Sequence, residues 1–148
     1  MTEEQVTKAL LQYLTNNGWH IVCFDFPQSG TGRVLHPDDA YSEKNRDSII
    51  PDIVTVKNGI ALFFENKDRF YLPDYKKVNE LIINNQYTSA TNELLSSYKV
   101  DSIFYGIGLP VEKYKEKSKE EVYLVDFILG VNIDKTITVL HNPKKILF

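Results

Sequence analysis

Residues 49–69 read IIPDIVTVKNGIALFFENKDR, and Asn58-Gly59 within them limits the fold more than any other feature of the chain. Two β-prone runs, residues 53–56 and 60–64, flank Lys57-Asn58-Gly59. Asn-Gly between such runs favours a turn with two left-handed residues, and so predicts an antiparallel hairpin. Folding back at this point brings Asp52, which opens one strand, to Glu65, which ends the other. Side chains two apart in a strand share a face, so Glu65 and Lys67 point together and Asn66 points away. Two carboxylates and one ammonium therefore converge at one end of a sheet.

That grouping suits phosphodiester hydrolysis assisted by Mg²⁺. Mg²⁺ takes carboxylate oxygens and keeps several waters. It offsets developing charge and acidifies a bound water, and a neighbouring lysine can orient that water or stabilise the pentavalent phosphate. Glu-x-Lys alone carries little information. Pro-Asp, a turn, a very apolar second strand and then Glu-x-Lys is far more restrictive.

Pro51-Asp52, twelve intervening residues and then Glu65-Asn66-Lys67 resembles the PD-(D/E)xK nuclease superfamily. The resemblance implies a restriction-endonuclease-like α/β fold: a helix, a mixed sheet carrying the motif hairpin, then a helix and further strands. It implies Asp52 and Glu65 as metal ligands and Lys67 as the catalytic lysine. It also implies that a glutamate of the first helix completes the metal site. Taking about 100° per residue, Glu3 lies about 60° from Val6, at the edge of the apolar stripe, and Glu4 about 160° away. Glu3 is the better placed ligand, although both also complement a helix dipole.

The 148 residues suit one domain spanning 1–148. No apolar run approaches the ~18 residues of a membrane span, and the polar start MTEEQVTK does not read as a signal peptide. A cytoplasmic protein without a membrane partner is the expectation. The one cysteine, Cys23, excludes an internal disulfide and reads as a buried small hydrophobe. His20, His36 and His141 lack zinc-ligand spacing. Net charge is −3, which argues against a protein that coats nucleic acid nonspecifically. The three arginines, Arg33, Arg46 and Arg69, all flank the motif, and arginine forks suit phosphate and guanine edges. They are the candidate DNA contacts.

The order of elements reads αβββα(α)βββ. Residues 2–17 form a helix capped by Thr2, with Val6, Ala9, Leu10, Tyr13 and Leu14 on one face and Asn17-Gly18 at its end. A strand over 19–26 follows, then a long polar segment, 27–48, of the kind that usually carries function. Within it, Gly30-Thr31-Gly32 lacks the ending of a phosphate loop and reads as a flexible loop near DNA or as plain surface. Asp38, Asp39 and Asp47 read as solvated charges rather than extra ligands, and Lys76-Lys77, which could touch a phosphate backbone, reads first as a solvated helix face. After the hairpin come helices from Leu72 to about Asn84 and over 86–98. A strand over 100–107 is closed by Gly108-Leu109-Pro110, and late strands cover 122–129 and 136–140. The crossover between Lys67 and Val100 permits parallel pairing, hence a mixed sheet.

Together these features point to a Mg²⁺-dependent endonuclease acting on double-stranded DNA, such as a small type II restriction endonuclease or a subunit of one. Two alternatives remain: a structure-selective nuclease of the Holliday-junction resolvase type, expected to be more basic, and a non-catalytic DNA-binding or assembly subunit. Cutting both strands calls for two sites, met by a homodimer or by a heterodimer with another nuclease subunit.

Overall fold

The structure is a computed structural model that describes residues 1–26, 29–38, 48–114 and 121–148. Helix α1 (Glu3–Asn16) starts as the sequence predicts. Thr2 Oγ1 accepts the N–H of Gln5 at 3.1 Å, and Gln5 Oε1 accepts the N–H of Thr2 at 2.9 Å, a reciprocal cap. Val6, Leu10 and Leu14, four residues apart, are wholly buried. Strand β1 (His20–Phe24) pairs antiparallel with β2 (Ile53–Lys57), and β2 with β3 (Ile60–Asn66). Asn58 and Gly59 take φ of 49° and 81°. Left-handed backbone at both positions is what a two-residue hairpin with the twist of its strands requires.

Helices α2 (Leu72–Asn84) and α3 (Thr88–Leu94) carry the chain across to β4 (Ser102–Pro110), which lies parallel to β3. β4 is in turn parallel to β5 (Phe127–Val131), and β6 (Ile137–His141) closes the sheet antiparallel to β5. The six strands stand in chain order, and the sheet is mixed, as expected. Among the described residues no helix is long and apolar enough to cross a membrane.

Two expected boundaries move. Gly108-Leu109-Pro110 does not close β4, because those residues pair with β5 and are buried. The expected strand over 122–129 begins as a 3₁₀ turn, Val122–Leu124, and only its last residues belong to β5, which starts at Phe127. Asp126 Oδ2 accepts the N–H of Tyr105 at 3.0 Å and so ties that turn to β4.

The sheet separates two apolar layers. Val6, Leu10 and Leu14 pack on Ile53, Leu62, Phe64, Phe127 and Leu129. On the other face Tyr75 and Val78 of α2 pack on Ile107, Leu109 and Ile128, while Leu95 packs beside Val54, Ala61 and Phe63. Cys23 is buried in this second layer.

Gly108 fixes how closely α1 approaches the sheet. A Cβ there would collide with Leu10 Cδ1 and Asn66 Oδ1. Its carbonyl also accepts the N–H of Lys67 at 2.9 Å. Gly108→Ala is expected to destabilise the protein by about 1–3 kcal/mol, the usual penalty of overpacking, read as a lower melting temperature. Melting at the wild-type temperature would mean that α1 has room to shift.

Candidate active site

The hairpin sets the site. Asp52 lies just before β2, and its backbone N–H donates to Phe64 O at 3.0 Å, continuing the ladder. Since Phe64 opposes Ile53, Asp52 stands opposite Glu65. Asp52 is two residues from Val54, and Glu65 is two from Phe63, both of which belong to the layer under α2 and α3. Asn66 turns the other way and is buried, its Nδ2 donating to Thr7 Oγ1 of α1 at 3.0 Å while its Oδ1 has no partner. Its backbone N–H donates to Asp52 Oδ2 at 2.6 Å, which locks the aspartate against the strand that carries Glu65.

Lys67 is the hub. Its Nζ lies 3.2 Å from Glu65 Oε1, 3.7 Å from Asp74 Oδ1 and 3.9 Å from Glu3 Oε1, so one carboxylate comes from each of β3, α2 and α1. Lys77 reaches the same Glu65 oxygen at 3.5 Å. Glu4 instead pairs with Lys8 at 2.8 Å. Glu3 is thus the helix acid turned toward the site, as its angular position suggests. Its carboxylate stands on Lys67, however, and among the described residues no three His, Cys, Asp or Glu side chains are arranged to share one cation. Of the expected ligands, Asp52 and Glu65 stand opposite each other and Glu3 stands on Lys67 beside them.

The electrostatics are those of a carboxylate cluster short of positive charge. Among the described residues Glu3, Asp52, Glu65 and Asp74 face Lys67 and Lys77 as their cations. Burial pushes the pKa of Asp52 up to about 7, and the Glu65 charge adds to the shift; the Asn66 N–H and Lys67 oppose it incompletely. Asp74 is also raised, by burial first, against the pull of Lys67. Burial depresses Lys67, but Glu65, Asp74 and Glu3 outweigh it and hold the ammonium above its ordinary range. Two carboxylates with room for water are the donor set that Mg²⁺ takes, and a cation there would relieve the repulsion that raises Asp52. The residues fit the ion.

Asp74 is the site residue that sequence reasoning missed, and Lys77, which reads first as part of a solvated helix face, joins it here. The signal was available: at about 100° per residue the two lie about 60° apart on α2, and Asp74 adjoins buried Tyr75 while Lys77 adjoins buried Val78. Asp25 also continues the acidic row, since its N–H donates to Asp52 O at 2.9 Å, but its Oδ1 accepts the hydroxyl of Ser29 at 3.0 Å.

Among the described residues Arg33 and Arg69 make no ion pair with this cluster. Arg33 is exposed, close enough to buried Cys23 to oppose the burial that raises the thiol pKa, and lines a groove with Ser89, Ala90 and Glu93. Arg69 is exposed between β3 and α2. Arg46, like Asp39 and Asp47, lies outside the described residues. Asp38 is a structural residue. Its Oδ1 accepts the N–H of Ser89 at 2.9 Å in the first turn of α3, where Tyr87 offers no side-chain cap. Comparison with family models, with curated proteins and with solved structures finds no match for the chain.

Proposed function

We propose that this chain is a Mg²⁺-dependent endonuclease that hydrolyses DNA phosphodiester bonds, with a restriction-endonuclease-like fold of the PD-(D/E)xK type. The observation that carries the reading is the hub geometry. Asp52 and Glu65 stand opposite each other on one face of a hairpin end, and the Lys67 ammonium is 3.2 Å from Glu65.

Asp52 and Glu65 would hold the ion, with water and substrate oxygen completing its shell. Bound there, Mg²⁺ would polarise a phosphoryl oxygen and make a water acidic near neutral pH. Lys67 is restrained from three sides, so its N–H groups are fixed before substrate arrives. A donor fixed in advance stabilises charge that develops on the phosphoryl oxygens without reorganising during the reaction. Asn66 fixes the Asp52 carboxylate through its backbone N–H, and Asp74 holds Lys67 from α2. Within this chemistry we favour a small type II restriction endonuclease or a subunit of one, acting as a homodimer or with a second nuclease subunit. The net charge of −3 suits local readout better than general adhesion to nucleic acid.

The test is a cleavage assay on plasmid and on branched DNA, in Mg²⁺ and in EDTA, with Asp52→Asn as the control. Discrete plasmid fragments that require Mg²⁺ and Asp52 are the expected result. Selective cutting of junctions would keep the chemistry and change the substrate class to that of a resolvase. Absence of cutting on every substrate would overturn the enzyme reading in favour of a binding or assembly role.

A further inference from the structure

We infer that Lys77 on α2 is the substrate-anchoring cation of this site and holds a non-scissile phosphate of the bound strand. The inference rests on the nuclease reading and adds a residue that the motif does not contain.

Two lysines meet the same oxygen, Glu65 Oε1, but their settings differ. Lys67 is a quarter exposed and has three carboxylate partners. Lys77 is half exposed and, among the described residues, has Glu65 alone, at 3.5 Å. An ion pair that loose and that exposed contributes little and exchanges readily. The Lys67 ammonium is held from three sides at the reacting end of the site; the Lys77 ammonium is held loosely and from one side. Its position is nonetheless fixed, because Val78, the next residue, is buried against the sheet, and Asp74, one turn earlier, is tied to Lys67.

Lys77 also faces open space. It borders a narrow cleft of about 20 Å³, room for about one water, whose other walls include Ile50, Glu65, Leu81 and Tyr105. Charge points the same way: among the described residues four carboxylates surround two ammoniums, so a polyanion approaching this end of the sheet needs a cation that can turn toward it. Lys76 is the internal comparison. It is exposed and adjacent in sequence, but it lies about 100° around the helix, and among the described residues it has no ion pair with the site.

The experiment measures binding of a fluorescein-labelled duplex, and of a branched DNA, in Ca²⁺ over a salt series, with Michaelis–Menten kinetics in Mg²⁺. Lys77→Ala is expected to weaken binding about 3–10-fold and to flatten the plot of log Kd against log salt by about one ion. KM should rise by a similar factor, with a smaller loss in kcat than Lys67→Ala shows. Lys77→Arg should restore both affinity and slope. If wild type binds DNA and Lys77→Ala binds with the same affinity and slope, or if Lys76→Ala weakens binding equally, the inference is overturned and the nuclease reading stands. If wild type binds neither DNA, both are overturned.

Discussion

Asp52→Asn is expected to abolish cleavage and, at the same time, to raise the melting temperature of the metal-free protein above neutral pH. Asparagine keeps the shape and an oxygen for the Asn66 N–H, which Asp52 Oδ2 accepts at 2.6 Å. It removes a charge that the fold disfavours. Asp52 titrates near 7 in the folded chain instead of its ordinary 3.8, because of burial and then of Glu65. Below about pH 4 both folded and unfolded chains hold the proton, and the group has no effect on stability. Between about pH 4 and 7 the unfolded chain loses the proton and the folded chain keeps it, so stability falls as pH rises. A shift of this size corresponds to at most about 4 kcal/mol, fully expressed above pH 7. The variant should match wild type at pH 4 and exceed it at pH 8, by about 2–4 °C for each kcal/mol regained. Mg²⁺ should raise the melting temperature of wild type, which binds it when folded, and leave that of the variant unchanged. Equal melting at pH 8, or a Mg²⁺ shift that survives the substitution, would remove Asp52 from the metal seat.

Lys67→Ala is expected to slow single-turnover cleavage by at least about 100-fold, the loss typical of a preorganised transition-state donor. The geometry explains why so little would remain. One ammonium serves Glu65, Asp74 and Glu3 between 3.2 and 3.9 Å, and its removal leaves those carboxylates, among the described residues, with Lys77, which pairs with Glu65 and acts more weakly on Asp74. Binding should weaken far less, since one cation is a small part of the affinity for a polyanion. Lys67→Arg should not rescue the rate, because a planar fork cannot direct donors toward three carboxylates as a compact ammonium does. Equal losses in rate and binding would make Lys67 a backbone contact.

The parts of the site legible in the sequence are those fixed by local geometry. Asn58-Gly59 set the turn, strand alternation set Glu65 with Lys67 and against Asn66, and helical angle selected Glu3 over Glu4. Asp74 escaped notice and Lys77 reads first as solvated because their approach to Lys67 and Glu65 depends on where α2 lands across β4, which no short window encodes. Asp38 read as a solvated charge for the same reason, since its partner, Ser89, is 51 positions away. The ends of β4 and β5 were misread where pairing overrides composition. Gly108 and Pro110 are poor strand formers alone, but Gly108 pairs with both β3 and β5 and Pro110 with β5, which keeps them in the sheet.

The chain order of the sheet divides the molecule into reagents and scaffold. Glu3, Asp52, Glu65, Lys67, Asp74 and Lys77 all precede α3, whereas the strands over which α2 packs, and the Gly108 carbonyl that fixes Lys67, come after it. Residues 96–97, between the two halves, are exposed. A polypeptide severed there would carry every charged group on one fragment and the support for their alignment on the other. Neither fragment alone would hold Asp74 against Lys67, and the cluster would re-form only when β4 docks beside β3. The topology thus lends itself to a two-piece protein in which the proposed activity would report that its halves have met.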